Sequence, residues 1–170
     1  MTDYTSYLED TIWCNDRSFA SSNTGTGAGT SNTYYGAYGR DRINPTPSLE
    51  CINQNDRFTV NETMEGRVEG NGALTYPVAL LTADELTLAG QGYSGYSTTN
   101  YLHTGQSWWS LSPNYFDGSD AIGFRVYSTG SLRISIVSHT IGVRPAVSLK
   151  PGTQITNDGD GSVNSPFVVQ

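Results

Sequence analysis

From Trp108 onward the chain alternates between large apolar and small or polar residues with a period of two. Trp108, Ser110 and Ser112 alternate with Trp109 and Leu111, and Ile122, Phe124 and Val126 alternate with Gly123, Arg125 and Tyr127. After the turn-forming run Ser128-Thr129-Gly130-Ser131, Leu132, Ile134 and Ile136 alternate with Arg133, Ser135 and Val137. Side chains two apart share one side of a strand, so the pattern predicts a hairpin with one buried face and one polar face. Trp108 and Trp109 cannot both point inward on a strand. One is expected in the core, and the other is either covered by a loop or exposed as a binding platform. Val143, Ala146, Val147 and Leu149 predict the next strand, and Phe167-Val168-Val169 the last.

The period differs upstream. Tyr4, Tyr7, Leu8 and Ile12 are spaced close to one helical face, which predicts a short N-terminal helix ending before Cys14. Residues 20–33 lack large apolar side chains and read as a surface loop; no GK[ST] follows, so they do not form a phosphate-binding loop. Residues 34–57, with Tyr34, Tyr35, Tyr38, Pro45 and Pro47, read as a polar-aromatic connection with little regular structure. Phe58 and Val60 are expected to start a short strand, and Asn71-Gly72 to turn the chain. In YPVALLTADELTLAG, Val78 to Leu81 read as an extended buried segment. Thr82 with Glu85 three residues later is a capping box, and Gly90 is a C-terminal stop. Asp84 and Glu85 suit the positive end of that helix; they also invite an acid–base reading, which the cap makes unnecessary. One or two short helices with several antiparallel strands and long loops give α+β, organised as one domain over residues 1–170.

Composition narrows the partners. The net charge is −7 with no Lys/Arg cluster along the sequence, so the chain lacks the electrostatic attraction that drives nucleic-acid binding. No apolar run is long enough to span a bilayer, so no membrane insertion is expected from this segment. No basic stretch followed by an apolar one marks a signal peptide, and the chain opens abruptly at MTDYTSYLEDTIWC. That opening suits a mature or trimmed fragment, so the absence of a targeting segment does not fix location; an anchoring segment outside this sequence is expected from the family resemblance given below.

The candidate chemistry is that of binding. Asn114, Tyr115, Phe116, Asp117, Ser119, Asp120, Arg125, Tyr127, Arg133, Ser135, Ser138 and His139 fall on the polar face of the hairpin and its preceding loop, beside Trp109. Tyr and Arg supply contact area at modest entropic cost, and Ser, Asn and Asp supply adaptable hydrogen bonds, as on a paratope. An ordinary solvated sheet face has the same residue types. Cys14 and Cys51 form either a disulfide or two buried thiols; without companion ligands they do not make a zinc site. Asn157, Asp158 and Asp160 have calcium-loop spacing but lack the later bidentate Glu, and a turn explains them equally. His103 and His139 have no partners for a catalytic triad. No catalytic residue, metal site or cofactor is expected.

The motifs YLEDTIWCNDRS, YPVALLTADELTLAG, the WWSLSP bracket, GVRPAVSL and the ending NDGDGSVNSPFVV together resemble a family of bacterial extracellular domains, found mainly in Firmicutes and gut communities behind pilin-like or membrane anchors. The resemblance covers nearly the whole chain. It implies a C-type lectin-like fold, shared with formylglycine-generating-type domains and with variable proteins of diversity-generating retroelements. It also implies extracellular or cell-surface placement, a protein or glycan ligand, and Cys14 and Cys51 as a family feature. By this likeness, WWSLSP and GVRPAVSL bracket a segment, 114–140, rich in residue types reachable by mutating an Asn codon. The C-terminal half lacks the copper-holding cysteine pair of formylglycine-generating enzymes, so that activity is only a remote alternative. EPN-, QPD- and WND-like calcium motifs are absent, so calcium-dependent sugar binding is not implied. The expectation is a non-enzymatic, surface-displayed adhesin or receptor domain, or alternatively a self-associating pilus module.

Overall fold

A computed structural model describes residues 4–20, 32–92, 98–156, 158–162 and 164–170. In chain order, a 3-10 turn over Thr5–Tyr7 leads into β1 (Leu8–Glu9) and β2 (Trp13–Cys14). Strand β3 (Thr33–Tyr34) runs into helix α1 (Gly36–Tyr38), whose winding widens to a π turn over Gly39–Ile43. Short strands β4 (Arg57–Phe58), β5 (Thr63–Met64), β6 (Arg67–Val68) and β7 (Val78–Ala79) precede helix α2 (Ala83–Leu88). The longest strands follow as β8 (Trp108–Phe116), β9 (Ala121–Val126) and β10 (Leu132–Ile136), and then comes β11 (Ala146–Leu149).

Strands β10-β9-β8-β3 form an antiparallel sheet in that order, β1-β11-β7 form a second, and β2–β4 and β5–β6 pair separately. The architecture is α+β, mostly antiparallel strands with short helices. Leu86 of α2 and Ala37 of α1 pack with Trp108, Phe124, Val126 and Leu132 of the large sheet to make the core. Leu86, Phe124, Val126 and Leu132 are wholly excluded from solvent.

Helix α2 has the expected ends. The Glu85 N–H donates to the Thr82 hydroxyl (3.1 Å), and the Thr82 N–H donates to the Glu85 carboxylate (2.7 Å). At the other end Gly90 takes φ +91°, and the N–H groups of Gly90 and Gln91 reach the carbonyls of Thr87 and Leu86, closing a Schellman turn. Removing the hydroxyl with Thr82→Ala is expected to cost about 1 kcal/mol, while Thr82→Ser retains most of the stability. Urea midpoints of the two variants measure this.

The structure corrects the sequence reading in four places. The N-terminal helix is absent: after one 3-10 turn, Leu8 and Glu9 extend to pair with Leu149 and Ser148. A distant strand edge has overridden a weak local period. Residues 36–43 are helical rather than irregular, because Ala37 has a core position to fill. The strand after the hairpin covers only Ala146–Leu149 and belongs to the second sheet, and Val143, Val147 and Leu149 are exposed. Phe167 and Val168 are exposed too, and only an isolated bridge between Ile155 and Val169 remains of the last strand. Of the surface loop expected at 20–33, residues 21–31 lie outside the described residues.

Cys14 and Cys51 are joined by a disulfide, with their Cα atoms 5.7 Å apart. Among the described residues no helix is long and apolar enough to cross a membrane.

Candidate ligand-binding groove

Burial along β8 alternates strictly. Trp108, Ser110, Ser112 and Asn114 are buried, while Trp109, Leu111, Pro113 and Tyr115 are half-exposed. The half-exposed set lines an open groove of about 630 Å3, together with Gly123, Val137 and Phe116. Arg17, Tyr35 and Leu80 from the N-terminal half supply the rest of the wall. The Trp109 ring lies over Gly123: a Cβ there would sit 3.5 Å from Cζ3. A residue with no side chain thus lets the indole rest on the sheet.

Aromatic packing steadies the far end of the groove. Tyr34 stacks on its cross-strand partner Tyr115 at 5.4 Å between centroids, and Tyr38 packs on Tyr34 at 4.6 Å. Arg17 and Tyr35 are shared with a second open cleft of about 590 Å3, which adds Phe19 and the run Asn53–Asp56. Arg17 is fixed there, since its Nε donates to Asp56 Oδ1 at 2.7 Å and its Nη2 to the Asn55 carbonyl at 2.7 Å. Buried Asp56 also accepts from the Arg17 backbone N–H. The result is a mostly apolar, aromatic trough with an amide-rich extension, the composition of a site that binds by shape with a few orienting polar groups.

The predicted binding residues separate into distinct places. Trp109, Tyr115 and Phe116 line the groove. Arg125, Tyr127 and Arg133 line a different cleft, joined by Arg42. Asp117 and Asp120 occupy the turn between β8 and β9, where the Asp117 carboxylate accepts the N–H groups of Asp120 (2.7 Å) and Ser119 (2.9 Å). Those bonds, the one from Asp120 foremost, hold this exposed carboxyl below its ordinary range. Ser138 and His139 are exposed beyond β10.

Two of the expected contacts are corrected. Asn114 has no exposed surface; it lies in phase with Trp108 on the inner side of β8, and its backbone carbonyl accepts the Tyr35 N–H. Ser135 is buried, with its hydroxyl 2.8 Å from His139 Nδ1.

Other polar candidates have structural partners. Asp84 meets Arg40 with two hydrogen bonds of 2.7 and 2.8 Å and also accepts the Ser48 N–H, while Glu85 completes the cap. His103 donates from Nε2 to the Ser128 carbonyl. Asp160 lies in a turn, where the Ser162 hydroxyl and then its N–H hold the carboxyl below its ordinary range. Asn157 lies outside the described residues. Among the described residues, no three His, Cys, Asp or Glu side chains converge as a metal cage.

The residues missed from sequence are Arg17, Phe19, Tyr35, Asn53–Asp56 and Arg42. A signal for most of them was present. A bridge from Cys14 to Cys51 carries Arg17 to the Asn53–Asp56 segment, which the free-thiol alternative does not require. No family model, curated protein or solved structure matches this chain.

Proposed function

We propose that this chain is a non-enzymatic ligand-binding domain of adhesin or receptor type, built on a C-type lectin-like scaffold and displayed at the cell surface. The observation that carries this reading is the aromatic groove around Trp109, Tyr35, Tyr115 and Phe116, held on a packed antiparallel sheet. A site preformed on rigid strands spends little of its binding energy on ordering. The ligand is a protein or a glycan.

Trp109→Ala tests the reading. On glycan and peptide arrays, wild-type protein is expected to give discrete positives that weaken about 30-fold or more in the variant, as for a buried aromatic anchor. Circular dichroism should remain unchanged. Equal array profiles for the two proteins defeat the groove as the binding site. If the 114–140 segment is retroelement-diversified, sequencing across the source population is expected to find substitutions at exposed positions and in the groove, with buried Asn114 and Ser135 spared.

Exposed Val143, Val147 and Leu149 favour a second reading, a module that self-associates through the β11 region. Sedimentation at rising concentration separates the two, since a persistent monomer removes the second.

A further inference from the structure

We propose that the cleft beside the groove, lined by Phe19, Tyr35 and the run Asn53–Asp56, is a subsite for an uncharged pyranose ring, which makes the ligand a neutral glycan. This rests on the ligand-binding reading above and chooses between its two ligand classes. The cleft holds about 590 Å3, within the roughly 300–1,000 Å3 of small-ligand sites. It is continuous with the groove through Arg17 and Tyr35, which line both.

Charge balance selects a neutral ligand. Among the described residues that line the two clefts, Arg17 and Asp56 are the only charged ones, and they bind each other. Asp56 is buried, with Oδ1 accepting from the Arg17 Nε at 2.7 Å and Oδ2 from the Arg17 backbone N–H at 3.2 Å. Arg17 in turn donates from Nη2 to the Asn55 carbonyl. A charged ligand group entering here gives up water and meets no counter-ion that is not already paired. A neutral one carries no such penalty.

A sugar ring needs donors and acceptors side by side for its hydroxyls, and a flat apolar surface for its C–H face. Three successive carboxamides, Asn53, Gln54 and Asn55, are exposed, and each amide carries both a donor and an acceptor. A 3-10 turn over Gln54–Asp56 holds them in place. Gln54 Nε2 donates to the Gly70 carbonyl at 3.0 Å, which leaves the amide oxygen as an acceptor. The Asn55 carbonyl is tied to Arg17 and also accepts from Asn71 Nδ2 at 2.9 Å. Phe19 supplies the apolar surface: it is 53% exposed, and its ring centroid lies 6.3 Å from that of Tyr35, with the planes tilted by 46°. The electron-rich face of such a ring attracts the polarised C–H groups of a sugar.

An extended peptide fits less well. A peptide that lies along a sheet gains its affinity from unpaired main-chain groups at an edge. Here the Trp109 and Leu111 N–H groups donate to the Gly142 and Leu81 carbonyls, Pro113 has no N–H, and Tyr115 pairs with Ile122 in the ladder. Beyond β3, Phe19 bridges Tyr35, and the Ala20 and Gly36 N–H groups donate to the Tyr34 and Ser18 carbonyls. The site therefore presents side chains, which suits a ligand recognised by its hydroxyls and ring faces.

The test titrates the wild-type protein with the methyl pyranosides of glucose, galactose, mannose, N-acetylglucosamine, fucose and xylose, and follows side-chain amide signals by NMR. Saturable shifts of the Asn53 and Gln54 amides are expected with at least one of them. The methyl glycoside of glucuronic acid is expected to need about tenfold more, and the peptide acetyl-Gly-Phe-Gly-amide to give no saturable shift. Phe19→Ala is expected to raise the half-saturation concentration about tenfold. Phe19 is largely exposed already, so the fold should not depend on it; if it does, Asn53→Ala takes its place with the same expectation. No saturable shift with any of the neutral pyranosides overturns the subsite. So does a response to the glucuronide or the peptide as strong as to the sugars, or one unchanged in the variant. Trp109→Ala leaves the pyranoside titration intact while removing array binding, so failure of the groove and failure of the subsite give different patterns.

Discussion

Asp84→Ala is expected to destabilise the protein by about 3 kcal/mol or more, the loss that follows when one partner of a largely buried ion pair is removed. Asp84 is almost fully buried, with 7% of its side chain exposed, and both its oxygens are engaged by Arg40. Arg40 also reaches Asp16 at 2.9 Å, so one guanidinium joins α2, the π turn after α1, and the segment following β2. Hydrogen bonding to Asp84, above all, keeps Arg40 protonated well beyond its ordinary range, so its charge is constant at any working pH. The cost of Asp84→Ala comes from the Arg40 Nε and Nη2 donors and the Ser48 N–H losing their acceptors, with Asp16 left as the guanidinium's ion-pair partner, and Arg40→Ala in turn strands Asp84. The double variant should therefore lose much less than the sum of the two. Urea denaturation of the four proteins in this cycle measures the coupling; additive losses would show that the pair is not a unit. An Asp-Glu dipeptide at a helix start suggests acid–base chemistry on paper, yet here one carboxylate pins three elements and the other closes a cap.

The capping box and the alternation from Trp108 to Ile136 were legible because both are local. A cap needs two side chains three residues apart, and a strand's faces are set by its own pleat. The same parity places Asn114 inside. Counting by two from Trp108 passes Ser110 and Ser112 and reaches Asn114, all buried, although their polarity argued for the surface. The inner side of β8 is thus polar in sequence and dry in structure. The β8–β9 ladder also carries register shifts between Trp109 and Pro113 and between Pro113 and Tyr115, which no period reveals. For the N-terminal wall the sequence offers only the Cys14–Cys51 bridge as a signal. Arg17 and Tyr35 reach the groove through pairings with residues far along the chain: Arg17 with Asp56, and Tyr35 with the Asn114 carbonyl. Such contacts are decided by tertiary packing, and Tyr4 to Ile12 shows how a helical spacing yields to it.

Reducing the Cys14–Cys51 disulfide is expected to cost about 4 kcal/mol, the chain-entropy value for a bridge spanning 37 residues. Loss of that order is a large part of the 5–15 kcal/mol that holds a typical domain folded. The two ends do have other ties. Trp13 and Cys14 pair with Phe58 and Arg57, the Arg57 side chain donates to the Cys51 carbonyl, and Arg17 is bound to Asp56. With those ties the reduced chain is expected to stay folded at low temperature while holding the Arg17 and Asn53–Asp56 walls less tightly. Urea unfolding with and without dithiothreitol, alongside a Cys14→Ser, Cys51→Ser protein, measures the stability. Array binding of the same samples measures the site. The expected result is a lower urea midpoint with weakened binding, while Trp109 stays packed, because its support from Gly123 belongs to the β8–β9 ladder. A loss below about 1 kcal/mol would make the bridge dispensable.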